Sequence, residues 1–168
     1  MRTDCGFAGR HRTTVVMTAP FAGYKQILLP IDFTEHCERT AAHAAWVARQ
    51  SGATLHLAHV VENPLDRIYK PEQARHWQTV EHADATAREM LAQMASNCLP
   101  ADAPRELHVL AGDPWVKLIA LADKIAADLI VMSTHGTSSI VHMLMGDIAE
   151  KVAHHAHCPV LLVRVPRE

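Results

Sequence analysis

Two stretches of the chain carry the residue types that a phosphate or nucleotide site needs, and they lie far apart. The first is Ser133-Thr134-His135-Gly136, which follows the apolar run Leu129-Ile130-Val131-Met132 without a break. Nine residues, 137–145, separate it from Gly146-Asp147-Ile148-Ala149-Glu150, which reads as a helix start. Small residues let backbone N–H groups approach an anion, and a helix N-terminus adds the positive end of its dipole. The second is Asp32, a carboxylate directly after Ile27-Leu28-Leu29-Pro30-Ile31. It is suited to accept hydrogen bonds from ribose hydroxyls or an adenine amine. The plainer reading is that Asp32 caps a helix and Gly136 turns the chain.

The elements that must position these residues alternate along the chain. Strands are expected over 26–31, 54–61, 106–110, 129–132 and 160–165. Helices are expected from about Thr34 to Gln50, from Pro71 to Asn97, from Pro114 to Ala126, and from Gly146 to Ala156. Gly52 ends the first helix and Pro114 opens the third. The first helix presents Ala41, Ala44, Ala45, Val47 and Ala48 as a small-residue face. On the second, Leu91, Met94 and Cys98 recur at helical spacing and read as core. The strands are almost continuously apolar, as when helices cover both faces of a sheet. Right-handed crossovers then give one doubly wound α/β domain around a five-stranded parallel sheet. In the order 3-2-1-4-5, the tips of strands one and four flank the crevice where ligands sit in such folds, with Asp32 opposite residues 133–136.

Composition narrows the classes. The 168 residues suit one domain with a sizeable core. With 16 Lys+Arg against 18 Asp+Glu, there is no basic footprint for nucleic acid. No apolar run reaches the ~18 residues of a membrane span. Cys5, Cys37, Cys98 and Cys158 are scattered, which fits free thiols in a reducing, cytoplasmic setting. Residues 1–22 read as a disordered tail ahead of a domain at 23–168. Thr13, Thr14, Thr18 and Pro20 dilute any signal-like apolar segment there, and Met17 is an alternative start. No metal site is expected. His154, His155, His157 and Cys158 form the densest cluster among the 13 histidines, but adjacent helical side chains diverge by about 100°. They suit a helix C-terminus instead, and Cys158 is expected in the core.

At this point the residues resemble a known family. Tyr24 to Phe33, Leu57-Ala-His-Val60, Ala111-Gly-Asp-Pro114, Asp128 to Met132 with Thr134-His-Gly136, and Gly146 through Val163 resemble the universal stress protein family. The resemblance implies a Rossmann-like, adenine nucleotide alpha hydrolase-like fold. It also implies an ATP or AMP site, a binding or regulatory role, and a homodimer formed through the edge strand at 159–165. The nucleotide-binding branch of the family carries Gly-x-x-Gly, nine residues, then Gly followed by Ser or Thr. Here those positions are Ser133, Gly136, Gly146 and Asp147. The resemblance further implies that Val60 meets adenine through its backbone, while Met132 and Ile148 line the pocket. Pro30, Ile31, Asp32, His135 and Ala149 complete the implied binding set.

Two of the four motif residues depart from that pattern. Ser133 is a mild change. Asp147 puts a carboxylate where the family offers a hydroxyl. Two unit charges ~4 Å apart at an effective dielectric of ~20 repel by about 4 kcal/mol, enough to remove most of a micromolar affinity. A bound Mg²⁺ would reverse the sign by bridging Asp147 to phosphate. Asp147-Ile-Ala-Glu150 also has the spacing of a capping box with Asp in the Ser/Thr role. Residues 137–145 hold no Lys or Arg. The expectation is an intact adenosine half and a weakened phosphate half, favouring AMP or requiring Mg²⁺. No Ser-His-Asp order, H-E-x-x-H motif or P-loop lysine points to a catalyst. A slow ATPase and a nucleotide-free dimeric scaffold are the alternatives.

Overall fold

The computed structural model describes residues 22–34, 37–61, 78–134 and 146–164, with the backbone alone for 78–83. Among these, five strands alternate with helices. They are β1 (Gln26–Pro30), α1 (Cys37–Ser51), β2 (Thr54–Val61), α2 (Gln78–Cys98), β3 (Arg105–Ala111), α3 (Pro114–Lys124), β4 (Leu129–Ser133), α4 (Asp147–His155) and β5 (Val160–Val163). All pairings are parallel, in the order β3-β2-β1-β4-β5. The expected sheet and its order are therefore what the chain forms. The tail at 1–21, the start of the second helix and the segment 135–145 lie outside the described residues.

Period-two alternation explains why both faces close. Ile27 and Leu29 of β1 join Leu55, Leu57, Leu129 and Val131 on one face, packed against Ala41, Ala44 and Ala48 of α1 and Leu91 and Ala95 of α2. Leu28, Ala58, Ile130 and Met132 point the other way, onto Leu118, Leu121 and Ala122 of α3 and Ala149 and Val152 of α4. The small side chains of α1 let it sit close to the sheet. Met94 and Cys98 pack at the rim of the first cluster and Cys158 at the rim of the second, partly buried rather than inside the core. Cys37, Cys98 and Cys158 are free thiols.

Two local features place β1 beside β4 and then part their tips. At the start of the seam, the Lys25 N–H donates to Asp128 Oδ2 at 2.6 Å and the Gln26 N–H to Oδ1 at 3.2 Å. One carboxylate thus pins the entry of β1 to the entry of β4. The ladder between them then stops at Leu28↔Ile130, although both strands run on. Pro30 supplies the reason. The Ile31 N–H donates to the Ala58 carbonyl on the β2 side at 2.8 Å. Alternation turns the nitrogen of residue 30 toward β4, and proline has no N–H to give. The pairing ends there and the strand tips separate.

Candidate functional site

The gap between those tips is a cavity of about 330 Å³, at the lower end of the range that holds small molecules. Pro30, Ile31 and Asp32 border it from the end of β1, and Met132, Ser133 and Thr134 from the end of β4. Gly146, Asp147, Ile148 and Ala149 face it from the start of α4. Ala58, His59, Val60 and Val61 close it along β2, and Pro114 and Leu118 along α3. Of the twelve residues singled out in the sequence, ten border this one space. His135 and Gly136 lie outside the described residues. Ile31, Met132 and Ala149 are buried and give the cavity an apolar floor.

Asp32 sits at the edge of that floor in a turn of its own making. Its Oδ1 accepts from the Thr34 N–H at 3.1 Å, the Thr34 hydroxyl at 2.7 Å and the Cys37 thiol at 2.9 Å. The carboxylate therefore organises the turn that leads into α1, through Thr34 and the Cys37 thiol rather than through a backbone N–H of the helix. Oδ2 takes part in none of the three bonds. Burial, reinforced by the Asp32 carboxylate, pushes the Cys37 thiol up to about 11. Between Asp32 and Thr34 the chain passes through Phe33 at φ 57°, the left-handed region that a bulky residue rarely adopts. The Phe33 ring lies 4.4 Å from that of His59, whose Nδ1–H donates to the Ile31 carbonyl at 2.7 Å. The strain at Phe33 is thus held by a ring contact on the cavity wall.

The opposite wall is built from backbone. The Gly146 N–H donates to the Thr134 carbonyl at 2.7 Å, and the Thr134 N–H to the Val163 carbonyl at 3.2 Å. This ties the start of α4 to the end of β4. Gly146 has φ −69° and ψ 151°, which any residue adopts. What glycine provides here is the lack of a side chain at the cavity's edge. Within α4 the first ladder bond runs from Glu150 N–H to the Gly146 carbonyl at 3.0 Å. The N–H groups of residues 147–149 precede that bond, so the helix does not use them and its positive end faces the cavity.

Asp147 corrects the sequence reading. It is not the cap of α4: Gly146 is, and no side chain bonds there. Asp147 is the first helical residue, and its Oδ2 accepts from Lys151 Nζ at 2.9 Å, one turn on. The hydrogen bond to Asp147 in turn raises the Lys151 ammonium above its ordinary value. A capping box fails because the helix begins one residue earlier than that pattern requires. Lys151 of α4 thus places a cation beside the Asp147 carboxylate. Both side chains are largely exposed, at 66% for Asp147 and 43% for Lys151.

His154 and His155 serve the helix end. The His155 Nδ1–H donates to the Lys151 carbonyl at 2.8 Å, and the ring lies 4.8 Å from Trp115.

A doubly wound parallel sheet with a cavity at its β1/β4 switch point, faced by a helix N-terminus, defines the class of α/β proteins that place ligands at that point. The universal stress protein family model matches residues 23–164, and the chain belongs to that family. A universal stress protein of Thermus aquaticus is 35% identical over 144 residues, 84% of this chain and 99% of that one. Among solved structures, a universal stress protein from Lactobacillus plantarum superposes with a TM-score of 0.69 at 22% identity, covering 84% of this chain and 99% of that one. A universal stress protein solved in complex with cAMP has a TM-score of 0.59 at 25% identity, covering 84% and 98%.

Proposed function

We propose that the β1/β4 cavity binds an adenine nucleotide and that the protein acts by binding and regulation rather than by catalysis. The observation that carries this is convergence. Asp32, the apolar floor of Ile31, Met132 and Ala149, and the first turn of α4 border one cavity. A relative at 25% identity was solved with cAMP. In this reading the base lies along Val60 and the floor, Asp32 accepts from the ribose, and the phosphate meets the start of α4. A volume of about 330 Å³ suits a nucleoside monophosphate better than a triphosphate. The Asp147–Lys151 pair adds no net charge, so AMP is the expected ligand and ATP the weaker one, strengthened by Mg²⁺. The protein works in the cytosol as a homodimer. Edge strand β5, with Leu161 38% exposed, supplies the contact.

Calorimetric titration with AMP, ADP and ATP, with and without Mg²⁺, tests the site. The reading expects AMP to bind without Mg²⁺ and ATP to gain from it. Tight Mg²⁺-independent ATP binding overturns the assignment of a weakened phosphate half. Failure of all three to bind a nucleotide-free sample overturns the site and leaves a dimeric scaffold. A monomeric mass in solution overturns the β5 contact.

A further inference from the structure

Away from the cavity, toward the amino ends of the strands, β2 and β3 bring together a second group of polar side chains. His56 pairs with Glu106 in the ladder, and His108 follows two residues on, on the same face of β3. Opposite His108 stands Ala58, whose small side chain leaves room. Three atoms converge: His56 Nδ1 and His108 Nε2 are 3.0 Å apart, and Glu106 Oε2 is 3.6 Å from the first and 3.8 Å from the second. The point equidistant from all three lies about 2.0 Å from each, which is the bond length of zinc to imidazole nitrogen and carboxylate oxygen. Among the described residues no other group of three or more His, Cys, Asp or Glu side chains is arranged to hold a metal ion.

The surroundings match what such a centre requires. The His56 Nε2–H donates to Gln26 Oε1 at 2.6 Å, which fixes the tautomer and leaves Nδ1 as the lone pair facing the cluster. The side chain of His56 is only 4% exposed, that of His108 20% and that of Glu106 62%. The group is therefore anchored inside and open to solvent on the Glu106 side. Lys124, at the end of α3, lies close enough to act on His108 and opposes an added cation, whereas Glu106 favours one.

We propose that His56, His108 and Glu106 form a zinc-binding site on β2 and β3, with a fourth position open to water. In the metal-free chain His108 donates its Nε2–H to His56 Nδ1. Zinc binding moves that proton to His108 Nδ1, so both facing nitrogens present lone pairs, and the Glu106 carboxylate completes the triangle. Two imidazoles and one carboxylate form a borderline donor set that suits Zn²⁺ over Mg²⁺ or Ca²⁺.

The test titrates ZnCl₂ into untagged, chelator-treated full-length protein, with bound metal counted by elemental analysis. One zinc per chain is expected, together with a zinc-dependent rise in melting temperature. His56 is buried and its replacement risks the fold, so His108→Gln and Glu106→Gln carry the test. Each should weaken zinc at least tenfold while the metal-free melting curve stays close to that of the parent. Combined replacement of His154, His155 and His157 by Gln should leave the stoichiometry at one. Less than stoichiometric zinc, zinc that survives His108→Gln, or zinc lost in the triple variant overturns the assignment.

Discussion

Changing Asp147 to Ser tests whether the Asp147–Lys151 pair has already neutralised the departure from the family's phosphate motif. A bare carboxylate ~4 Å from a phosphate costs about 4 kcal/mol at an effective dielectric of ~20 and about 1 kcal/mol at that of water. The side chain is 66% exposed and accepts from Lys151 Nζ at 2.9 Å, so the lower figure applies. Asp147→Ser should raise ATP affinity by about 1 kcal/mol, roughly fivefold, and AMP affinity by less. Lys151→Met strips the cation and leaves the carboxylate, so it should weaken both nucleotides, ATP more. Both effects should shrink in high salt, because exposed charges are screened. Calorimetry on the parent and the two variants, at low and high salt, reads all of this. A gain of a hundredfold or more in Asp147→Ser, or no loss in Lys151→Met, would refute the pairing argument.

Other outcomes follow from the same geometry. With its thiol pushed up to about 11, Cys37 should be alkylated at pH 8 about a hundredfold more slowly than a thiol titrating at 9.0, as peptide mapping after timed iodoacetamide treatment would show. The raised value also makes stability intact below pH 9 and lowers it by about 3 kcal/mol as the pH climbs from 9 to 11. Denaturant melts across that range should show the decline, and Cys37→Ala should abolish it. Asp32→Ala removes the acceptor of three hydrogen bonds and should cost about 2–3 kcal/mol in urea melts, besides its effect on nucleotide binding. Leu29→Ala, at a fully buried position in the cluster beneath α1, should cost about 2–5 kcal/mol yet leave nucleotide affinity unchanged well below the melting point.

The sheet was legible because its strands are buried on both faces and so read as unbroken apolar runs. The placement of Asp32 opposite residues 133 and 134 follows from the strand order alone. What stayed hidden depends on register and on side-chain partners. Ala58, His59, Pro114 and Leu118 border the cavity, yet β2 and α3 look like plain scaffold in one dimension. Lys151 was in reach, since an acid four residues before a base on a helix is a recognised pairing signal. The convergence of His56 with Glu106 and His108 needs the β2/β3 register, which no local pattern supplies. Glu106-Leu107-His108 does carry a hint, as two ligating side chains at period two on one strand.

The Asp128 carboxylate and the backbone N–H of Lys25 are separated by 103 positions in the chain. Among the described residues, the seam they begin is the only strand pairing that joins the β1–β3 half of the sheet to the β4–β5 half. A molecule lodged past the end of that seam touches both halves and favours the state in which they are joined. Loop-closure entropy makes so distant a pairing slow to form, so the pocket is absent until synthesis and docking are nearly complete. Occupancy of the cleft would therefore report that β1 and β4 have docked.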